Sequence, residues 1–355
     1  MEKIKVKIST NSPGRSPIRQ TSGQLGVWGN CQFYFDDDIN DCDWWVVYEG
    51  LKEKQTILCD SKRTILVTAE SSHIKTYNPD FLRQFHTIVT TQRQIKASKI
   101  VHRWPQIWHL GMPYHKLRTH TDAYTKTYDE LKVTKPNKTK LISIIASANA
   151  STKGHCERVA FVAALKEHFK ERLDIFGAGV NHINDKWDGI APYRYHIVIE
   201  NSVEKDYWTE KLSDAFLAGA YPIYFGCPNI HAYFPEQTLT TIDIRKPAEA
   251  IVIIERVLRQ DCYTTSQEAL VAAKQLILND YQFFPALHQI IHDTSKEVGT
   301  ENKTFVTIEP EVQLQPNVLR RIIHALQTRS LKKTFFNHAT QVLANRHFPI
   351  PHPKK

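Results

Sequence analysis

Long apolar runs are missing from this chain of 355 residues. No stretch reaches the roughly 18 consecutive apolar residues that a membrane-spanning helix needs. The first residues, MEKIKVKIST, lack the apolar segment of a signal peptide. We therefore expect a cytoplasmic protein without a membrane span.

Motifs that bind metals or exchange disulfides are also missing. The six cysteines lie far apart, and no two of them have the CxxC spacing of a zinc knuckle or a redox motif. We expect reduced thiols at these positions, namely Cys31, Cys42, Cys59, Cys156, Cys227 and Cys262. Four histidines, His109, His155, His182 and His196, form neither HxxxH nor HExxH, so we expect no metal site.

The composition is that of an ordinary globular protein, with 41% hydrophobic and 23% charged residues. The length exceeds the roughly 150 residues typical of one domain, which favours two domains. Lys and Arg number 46 against 37 Asp and Glu, a net charge of +9 that favours an anionic partner such as a nucleotide, a nucleic acid or an acidic membrane surface. Because the basic residues are dispersed and form no recognisable nucleic-acid-binding module, we expect no nucleic-acid partner.

The hydrophobic pattern divides the chain into three parts. Residues 1–135 contain apolar, β-branched runs at 3–9, 43–51, 63–68 and 87–91 and a short helical pattern at 81–85, which predicts an α/β domain. The polar stretch 119–140 is the predicted linker. Residues 136–300 form the predicted second domain, and residues 301–355 a helical, basic tail.

The second domain reads as serial βαβ units. Strands are predicted at 141–146, 173–177, 196–199, 221–225 and 241–244. Helices are predicted at 155–169, 209–218 and 248–258, the first with Val159, Val162, Leu165 and Phe169 on one face. Such units build a parallel sheet that binds ligands beyond the carboxyl ends of its strands.

The polar groups at that edge predict a nucleotide site. Glu200, Asn201 and Ser202 follow a fully apolar strand, and Asp206 or Thr209 can cap the next helix. Glu210 and Lys211 in its first turn stand beside free backbone N–H groups, which suit a diphosphate. There Glu210 can accept from ribose hydroxyls and Lys211 can contact phosphate. The alternative is a capped surface helix, with Glu200 a buried carboxylate satisfied by backbone N–H groups.

The stretch 195–228, YHIVIENSVEKDYWTEKLSDAFLAGAYPIYFGCP, resembles the signature of glycosyltransferase family 10, the α1,3/α1,4-fucosyltransferases. Residues 44–48, 65–79, 108–111 and 141–165 resemble bacterial members of the same family, so the similarity covers most of residues 25–290. It implies a GT-B fold, in which two Rossmann-like domains face a cleft. It also implies that the C-terminal domain holds GDP-fucose, that the N-terminal domain holds the acceptor, and that transfer inverts the anomeric centre without a metal or another cofactor.

The resemblance also implies roles for individual residues. Glu200 corresponds to a Glu near the donor sugar, and Glu70 to the family's candidate general base; the alternative for Glu70 is a loop carboxylate satisfied by neighbouring backbone. The expected donor-binding residues are Asn201, Tyr207, Thr209, Glu210, Lys211, Gly177, Gly179 and Arg194. Of these, Asn201, Tyr207, Glu210 and Lys211 match residues of the family. Independently of the family, direct displacement at an anomeric carbon needs a base opposite the departing diphosphate.

One departure from the family pattern concerns phosphate binding. Ala178 stands in the Phe-Gly-Ala-Gly element where relatives carry an Arg. Lys186, His182 or Arg194 can supply the missing charge.

The expected function is transfer of L-fucose from GDP-fucose to a hydroxyl of a bacterial surface polysaccharide or lipopolysaccharide. The alternatives are a transferase of the same fold that uses another GDP-sugar and a non-catalytic, GDP-binding scaffold protein. The basic tail either contacts the anionic inner face of the membrane or packs on the other domain as a solvated helix.

Overall fold

The structure is a computed structural model that describes residues 3–11, 16–36, 38–112, 126–146, 153–177, 181–299 and 302–311. The two sheets described below both lie in one compact unit, residues 1–313. Within the described part of the chain, no helix combines the length and the apolar character needed to cross a bilayer.

The first half is built on a seven-stranded sheet. Its sequence supplies eight strands, β1 (Ile4–Thr10), β2 (Val27–Trp28), β3 (Cys31–Phe35), β4 (Trp44–Tyr48), β5 (Gln55–Cys59), β6 (Thr64–Val67), β7 (Thr87–Val89) and β8 (Lys99–Val101), and a short helix, α1 (Pro79–Leu82). The sheet order is β2-β3-β1-β4-β6-β7-β8, parallel except for the pairing of β2 with β3. Strand β4, sequence WWVVY, is buried over its first four residues, as expected for a central strand covered on both faces.

The second half is built on a five-stranded parallel sheet. Its elements in chain order are α2 (Tyr128–Val133), β9 (Lys140–Ile145), α3 (Lys153–Phe169), β10 (Leu173–Phe176), α4 (Lys186–Ile190), β11 (Tyr193–Ile199), α5 (Glu210–Leu217), β12 (Tyr221–Phe225), β13 (Thr240–Thr241), α6 (Pro247–Arg259), α7 (Cys262–Thr265) and α8 (Gln267–Leu276). The sheet order is β10-β9-β11-β12-β13. Two parallel-sheet halves meeting at a shared cavity confirm the predicted α/β, GT-B architecture.

Two details of the second half differ from expectation. Val159 was expected on the buried face of α3 but is 37% exposed, whereas Phe161 and Leu165 are fully buried. The inward face also carries Arg158, a cation that the apolar pattern could not assign to a buried position. Strand β13 covers only Thr240–Thr241 instead of residues 241–244, because parallel pairing with β12 ends there.

The chain then returns to the first sheet. Helix α9 (Phe283–Val298) buries Phe283, Phe284 and Leu287 in the core of the first half, and strand β14 (Thr304–Ile308) pairs antiparallel with β5. The predicted domain boundaries assign α9 to the second domain and β14 to the tail, although both elements pack on the first half. The helical character expected for residues 301–355 does not hold at β14, and residues 312–355 lie outside the described residues.

Gly177 directly follows β10, at a point where the neighbouring backbone leaves no room for a side chain. Its φ is +133°, and a Cβ there would lie 2.1 Å from the carbonyl oxygen of Ala146, at the end of the neighbouring strand. The glycine of the predicted donor-binding element is therefore required by close backbone approach. Gly179 and Ala178 lie outside the described residues.

We predict that Gly177→Ala lowers the free energy of unfolding by about 3 kcal/mol, since it adds a backbone clash to an unfavourable φ. Gly299→Ala is the control, because Gly299 also has a positive φ (+70°) but nothing within 4 Å of its added Cβ. We expect about 1 kcal/mol there. Urea denaturation of both variants measures the difference, and equal losses would contradict the role assigned to the Ala146 contact.

Candidate active site

A cavity of about 440 Å³ lies where the carboxyl ends of the two sheets meet. Both halves line it. The first half contributes Thr10, Asn11, Phe35, Tyr48, Glu49, Ala69, Glu70, Trp104, Gln106, Ile107, His109 and Met112, and the second half contributes Asn201, Tyr207, Thr209, Glu210 and Lys211. Six of the ten predicted site residues thus share one cavity, namely Glu70, Asn201, Tyr207, Thr209, Glu210 and Lys211.

Glu200 fixes the start of helix α5 through hydrogen bonds to the residue before it. Thr209 is the N-cap, and its hydroxyl oxygen accepts from the backbone N–H of Lys211 at 3.3 Å. Glu200 accepts from the backbone N–H of Thr209 at 2.7 Å and from its hydroxyl at 2.6 Å. Burial raises the pKa of Glu200, while Lys211 and the Thr209 hydrogen bonds oppose the rise. The side chain of Glu200 is fully buried and does not line the cavity, and its partners are one backbone N–H, one hydroxyl and one ammonium.

A chain of alternating charges runs along the second-half wall. The ammonium of Lys211 lies 3.5 Å from Glu200 and 3.4 Å from Glu210, and Lys186 lies 3.3 Å from Glu210 and 2.8 Å from the buried Asp214. Burial acts to raise the pKa of Glu210, but Lys211 and Lys186 hold it well below its ordinary value. The same ion pairs raise the pKa of Lys211 against the effect of burial. Both groups are consequently charged at neutral pH.

Glu70 occupies the opposite wall. It follows β6 by three residues, and its carbonyl oxygen accepts from the side-chain amide of Gln92 at 2.8 Å. Burial raises the pKa of its carboxyl group, and repulsion by Glu49 raises it further, whereas Lys211 lowers it. A carboxylate with a raised pKa is a better proton acceptor than a free surface one.

Glu49 is a cavity residue that the sequence analysis did not identify. Its carboxylate accepts from the backbone N–H of Ala69 and, at 2.7 Å, from the hydroxyl of Tyr77, and it pairs with Lys75 at 3.1 Å. The rule that selected Glu200, a polar residue directly after a buried strand, also selects Glu49 after β4.

Arg158 and His109 were also missed. Arg158 donates to the side-chain oxygen of Asn201 at 2.9 Å from within helix α3. The ring of His109 lies 3.8 Å from Glu210, and burial lowers its pKa, so it is neutral at pH 7. The apolar pattern of α3 gave no signal for Arg158, and His109 had none because it follows no strand.

The three residues expected to supply the charge missing at Ala178 lie in different places. Lys186 lies beside Glu210 in the site. Arg194, predicted to bind the donor, stands at the start of β11, at the opposite end of the strand from Glu200, where it pairs with Asp261 at 4.0 Å. The Arg194 side chain is 46% exposed there and does not line the cavity. His182 is exposed and follows the undescribed residues 178–180.

Direct contacts join the two halves beside the cavity. The hydroxyls of Ser71 and Ser202 lie 2.7 Å apart, and Glu204 accepts from Ser72 at 2.7 Å and contacts His73 at the same distance. Arg93 forms an ion pair with Asp206. The loop that carries Glu70 is thus bonded to the loop that leads from Glu200 to Thr209.

The described residues contain no cluster of three or more His, Cys, Asp or Glu side chains arranged to hold a metal ion. Among the described residues, Cys31, Cys42, Cys59 and Cys227 are buried thiols that form no disulfide.

The family model for the C-terminal part of glycosyltransferase family 10 (fucosyltransferase) matches residues 135–264, the segment that carries Glu200, Thr209, Glu210 and Lys211. This part of the chain belongs to glycosyltransferase family 10. The family segment begins at the predicted domain boundary and includes the whole five-stranded sheet.

The similar proteins are fucosyltransferases by name. GDP-fucose protein O-fucosyltransferase 3 of Danio rerio is 35% identical over 63 residues, 18% of this chain and 14% of the relative. The 4-galactosyl-N-acetylglucosaminide 3-alpha-L-fucosyltransferase 9 of Mus musculus is 35% identical over 81 residues, 21% of this chain and 23% of the relative. The chain therefore spans less than a quarter of the length of either relative.

Solved structures with a similar chain path include an alpha1,3-fucosyltransferase with GDP. It is 16% identical with a TM-score of 0.45, and the match covers 80% of this chain and 92% of that one. A glycosyltransferase from Rickettsia africae ESF-5 is 12% identical with a TM-score of 0.43, over 83% and 99% of the two chains.

We predict that Thr209→Ala lowers the free energy of unfolding by about 2 to 4 kcal/mol, because it removes the helix cap and one hydrogen bond to a buried carboxylate. Thr209→Ser keeps both contacts and is expected to cost less than about 1 kcal/mol. Urea denaturation compares the two variants. Equal stability of the Ala and Ser variants would mean that Glu200 does not depend on the Thr209 hydroxyl.

Proposed function

We propose that the chain is an inverting glycosyltransferase that moves L-fucose from GDP-fucose to a hydroxyl group of a glycan, with Glu70 as the general base. The observation that carries the proposal is that Glu70 and Lys211 line one cavity from opposite halves of the molecule. Family membership of residues 135–264 supports the donor class. The names of the relatives support fucose as the sugar.

The donor side of the proposed site is the second-half wall. Thr209 caps α5, and the first-turn N–H groups together with Lys211 suit a diphosphate. Lys186, next to Glu210, and Arg158, bonded to Asn201, add positive charge near the same wall. We propose that these cations take the place of the Arg that relatives carry at the position of Ala178, and that the leaving diphosphate therefore needs no metal ion.

The proposed reaction is a single displacement. The acceptor oxygen forms a bond to the anomeric carbon of fucose while the bond from that carbon to the β-phosphate oxygen breaks, and the electron pair leaves with GDP. Glu70 takes the acceptor's hydroxyl proton on the face away from the diphosphate. Lys211 stabilises the negative charge that develops on the leaving oxygen. Glu200 contributes by holding Thr209 and Lys211 in place.

The acceptor side of the proposed site extends beyond the main cavity. A second cavity of about 380 Å³ shares Thr10 with the first and is lined by first-half residues. Its polar lining includes Ser9, Asp36, Asn40 and Gln55, which suit the hydroxyl groups of a sugar chain. We propose that a bacterial surface polysaccharide or lipopolysaccharide is the acceptor, with N-acetyllactosamine as the first test compound, since the mouse relative is named for that disaccharide unit.

A cytoplasmic location with peripheral membrane contact through the basic tail remains a prediction. The basic residues that suggested it, from Arg320 to Lys355, lie outside the described residues. The rival functions, use of another GDP-sugar and GDP binding without catalysis, are separated by the two experiments that follow.

We predict that GDP at about 100 times its Kd stabilises the fold by about 2.7 kcal/mol and that UDP stabilises it much less. Lys211→Ala should weaken GDP binding by about 10- to 100-fold, since it removes a charge-assisted contact to phosphate. Lys205→Ala is the control, because Lys205 is exposed in the preceding loop. Titration calorimetry measures the Kd of GDP and of UDP for the wild type and for both variants. Equal binding of GDP and UDP, or unchanged GDP affinity in the Lys211 variant, would refute the donor assignment.

We predict that Glu70→Gln lowers kcat for transfer from GDP-fucose to N-acetyllactosamine by a factor of about 10² to 10⁴ and leaves GDP affinity unchanged. Glu167→Gln removes an exposed carboxylate on α3 and should retain full activity. Initial rates and GDP titrations of the folded variants provide the test. A wild-type protein that binds GDP but turns over no GDP-sugar would favour the scaffold alternative, and turnover with a different GDP-sugar alone would identify another donor.

A further inference from the structure

We propose that Glu49 is a positioning residue that holds the backbone of Glu70 in the orientation needed to accept the acceptor's proton. The proposal rests on the role of Glu70 proposed above. Glu49 lies on the wall of the same cavity, directly after β4, and its contacts reach both ends of the segment that carries Glu70.

The backbone at Glu49 is held in an uncommon conformation. Its φ is +66°, a left-handed value that costs a residue with a Cβ about 1 kcal/mol or more. Its N–H donates to the carbonyl of Val67 in β6 at 2.8 Å, and the next N–H, of Gly50, donates to Tyr48 at 2.8 Å. These bonds tie the turn after β4 to the end of β6, and they aim the side chain of Glu49 at the loop that β6 enters.

The carboxylate of Glu49 then binds that loop at three places. One oxygen accepts from the backbone N–H of Ala69, the residue before Glu70, and from the buried hydroxyl of Tyr77 at 2.7 Å. The other lies 3.1 Å from the ammonium of Lys75, which also donates to the carbonyl oxygen of Glu49 at 3.1 Å. A single side chain therefore joins the start of segment 69–77 to its end.

A second side chain closes the same loop from the other side. Gln92 is buried, and its amide donates to the carbonyl of Glu70 at 2.8 Å and to that of Lys75 at 3.0 Å. The backbone on both sides of the Glu70 side chain is consequently fixed, by Glu49 through Ala69 and by Gln92 through the Glu70 carbonyl. We expect loss of either contact to loosen the backbone next to Glu70 and to displace its carboxylate.

The contacts also distinguish Glu49 from a second base. Both of its oxygens are occupied, one by two donors and the other by an ammonium, and its side chain is only 15% exposed. Glu70 faces Glu49 and Lys75 on its own half and Glu210 and Lys211 on the other, and the negative charge of Glu49 raises its pKa. Glu49 thus acts on Glu70 by position and by charge.

Double-mutant kinetics test the proposal. Glu49→Ala should lower kcat by about 10- to 100-fold, the effect of a misplacement of about 1 Å, and leave the Kd of GDP unchanged. In a Glu70→Gln background the same substitution should have almost no further effect, because its target is already removed. Glu167→Gln, measured in both backgrounds, is the control. Normal kcat in folded Glu49→Ala, or an undiminished loss of rate in the Glu70→Gln background, would overturn the proposal.

Glu49→Gln removes the negative charge of Glu49 but keeps a side chain of the same shape, so it tests the charge separately from the position. We expect this variant to retain the fold. Its amide oxygen can still accept from Ala69 and Tyr77, while the charge that repels Glu70 is gone. The acidic limb of the kcat/KM profile should therefore move to lower pH, and 13C NMR of the Glu70 carboxyl should show a lower pKa. Because Glu49→Gln keeps the contacts to Ala69 and Tyr77, a plateau kcat as low as that of Glu49→Ala would overturn the positioning role. An unmoved Glu70 titration would overturn the effect of the Glu49 charge. The NMR titration needs no turnover, so it tests the coupling of Glu49 to Glu70 even if Glu70→Gln is fully active, a result that would refute only the role of Glu70 as the base.

Discussion

The hydrogen bonds from Thr209 to Glu200 are the constraint on which the second-half wall depends. A carboxylate in the interior must be fully hydrogen-bonded, and here its partners are the N-cap residue of α5 and the ammonium of Lys211. The need to satisfy Glu200 therefore decides where the helix begins and which way its first turn faces. Asn201 and Tyr207 take their positions from the same loop.

The positions of Lys211 and Glu210 follow from this constraint, because both residues lie in the first turn of α5. Each is partly buried, and neither could remain charged there alone, so the second lysine, Lys186, and the buried Asp214 extend the pair into a network. The network holds the ammonium of Lys211 at the cavity wall and that of Lys186 beside Glu210. A dianionic ligand would meet cations already oriented, so less reorganisation accompanies binding.

Sequence reasoning located the second half well because its signals are local. The apolar strands β9, β11 and β12 and the helix cap at Thr209 each depend on neighbours within a few residues. Two of the misses were local. Arg194 precedes the predicted strand 196–199, so strand direction puts it at the end of β11 opposite Glu200, and Glu49 was counted within the run 43–51, whereas β4 ends at Tyr48. The contacts that give Glu49 its position are not local, because Ala69, Lys75 and Tyr77 lie about 20 residues or more away. The return of α9 and β14 to the first sheet likewise depends on contacts across most of the chain.

The two halves carry different parts of the proposed site, and direct bonds join the cavity wall of one half to that of the other. The proposed base is on a loop of the first half and the proposed phosphate contacts are on a helix of the second, so their separation depends on how the halves meet. Ser71, Ser72 and His73 follow Glu70 immediately, and they bond to Ser202 and Glu204, which follow Glu200 and Asn201. Each contact therefore ties the residues next to one functional group to the residues next to the other. Because Glu49 and Gln92 hold the first loop and Glu200 holds the second, short hydrogen-bonded paths on both sides position Glu70 and Lys211 at the junction of the halves.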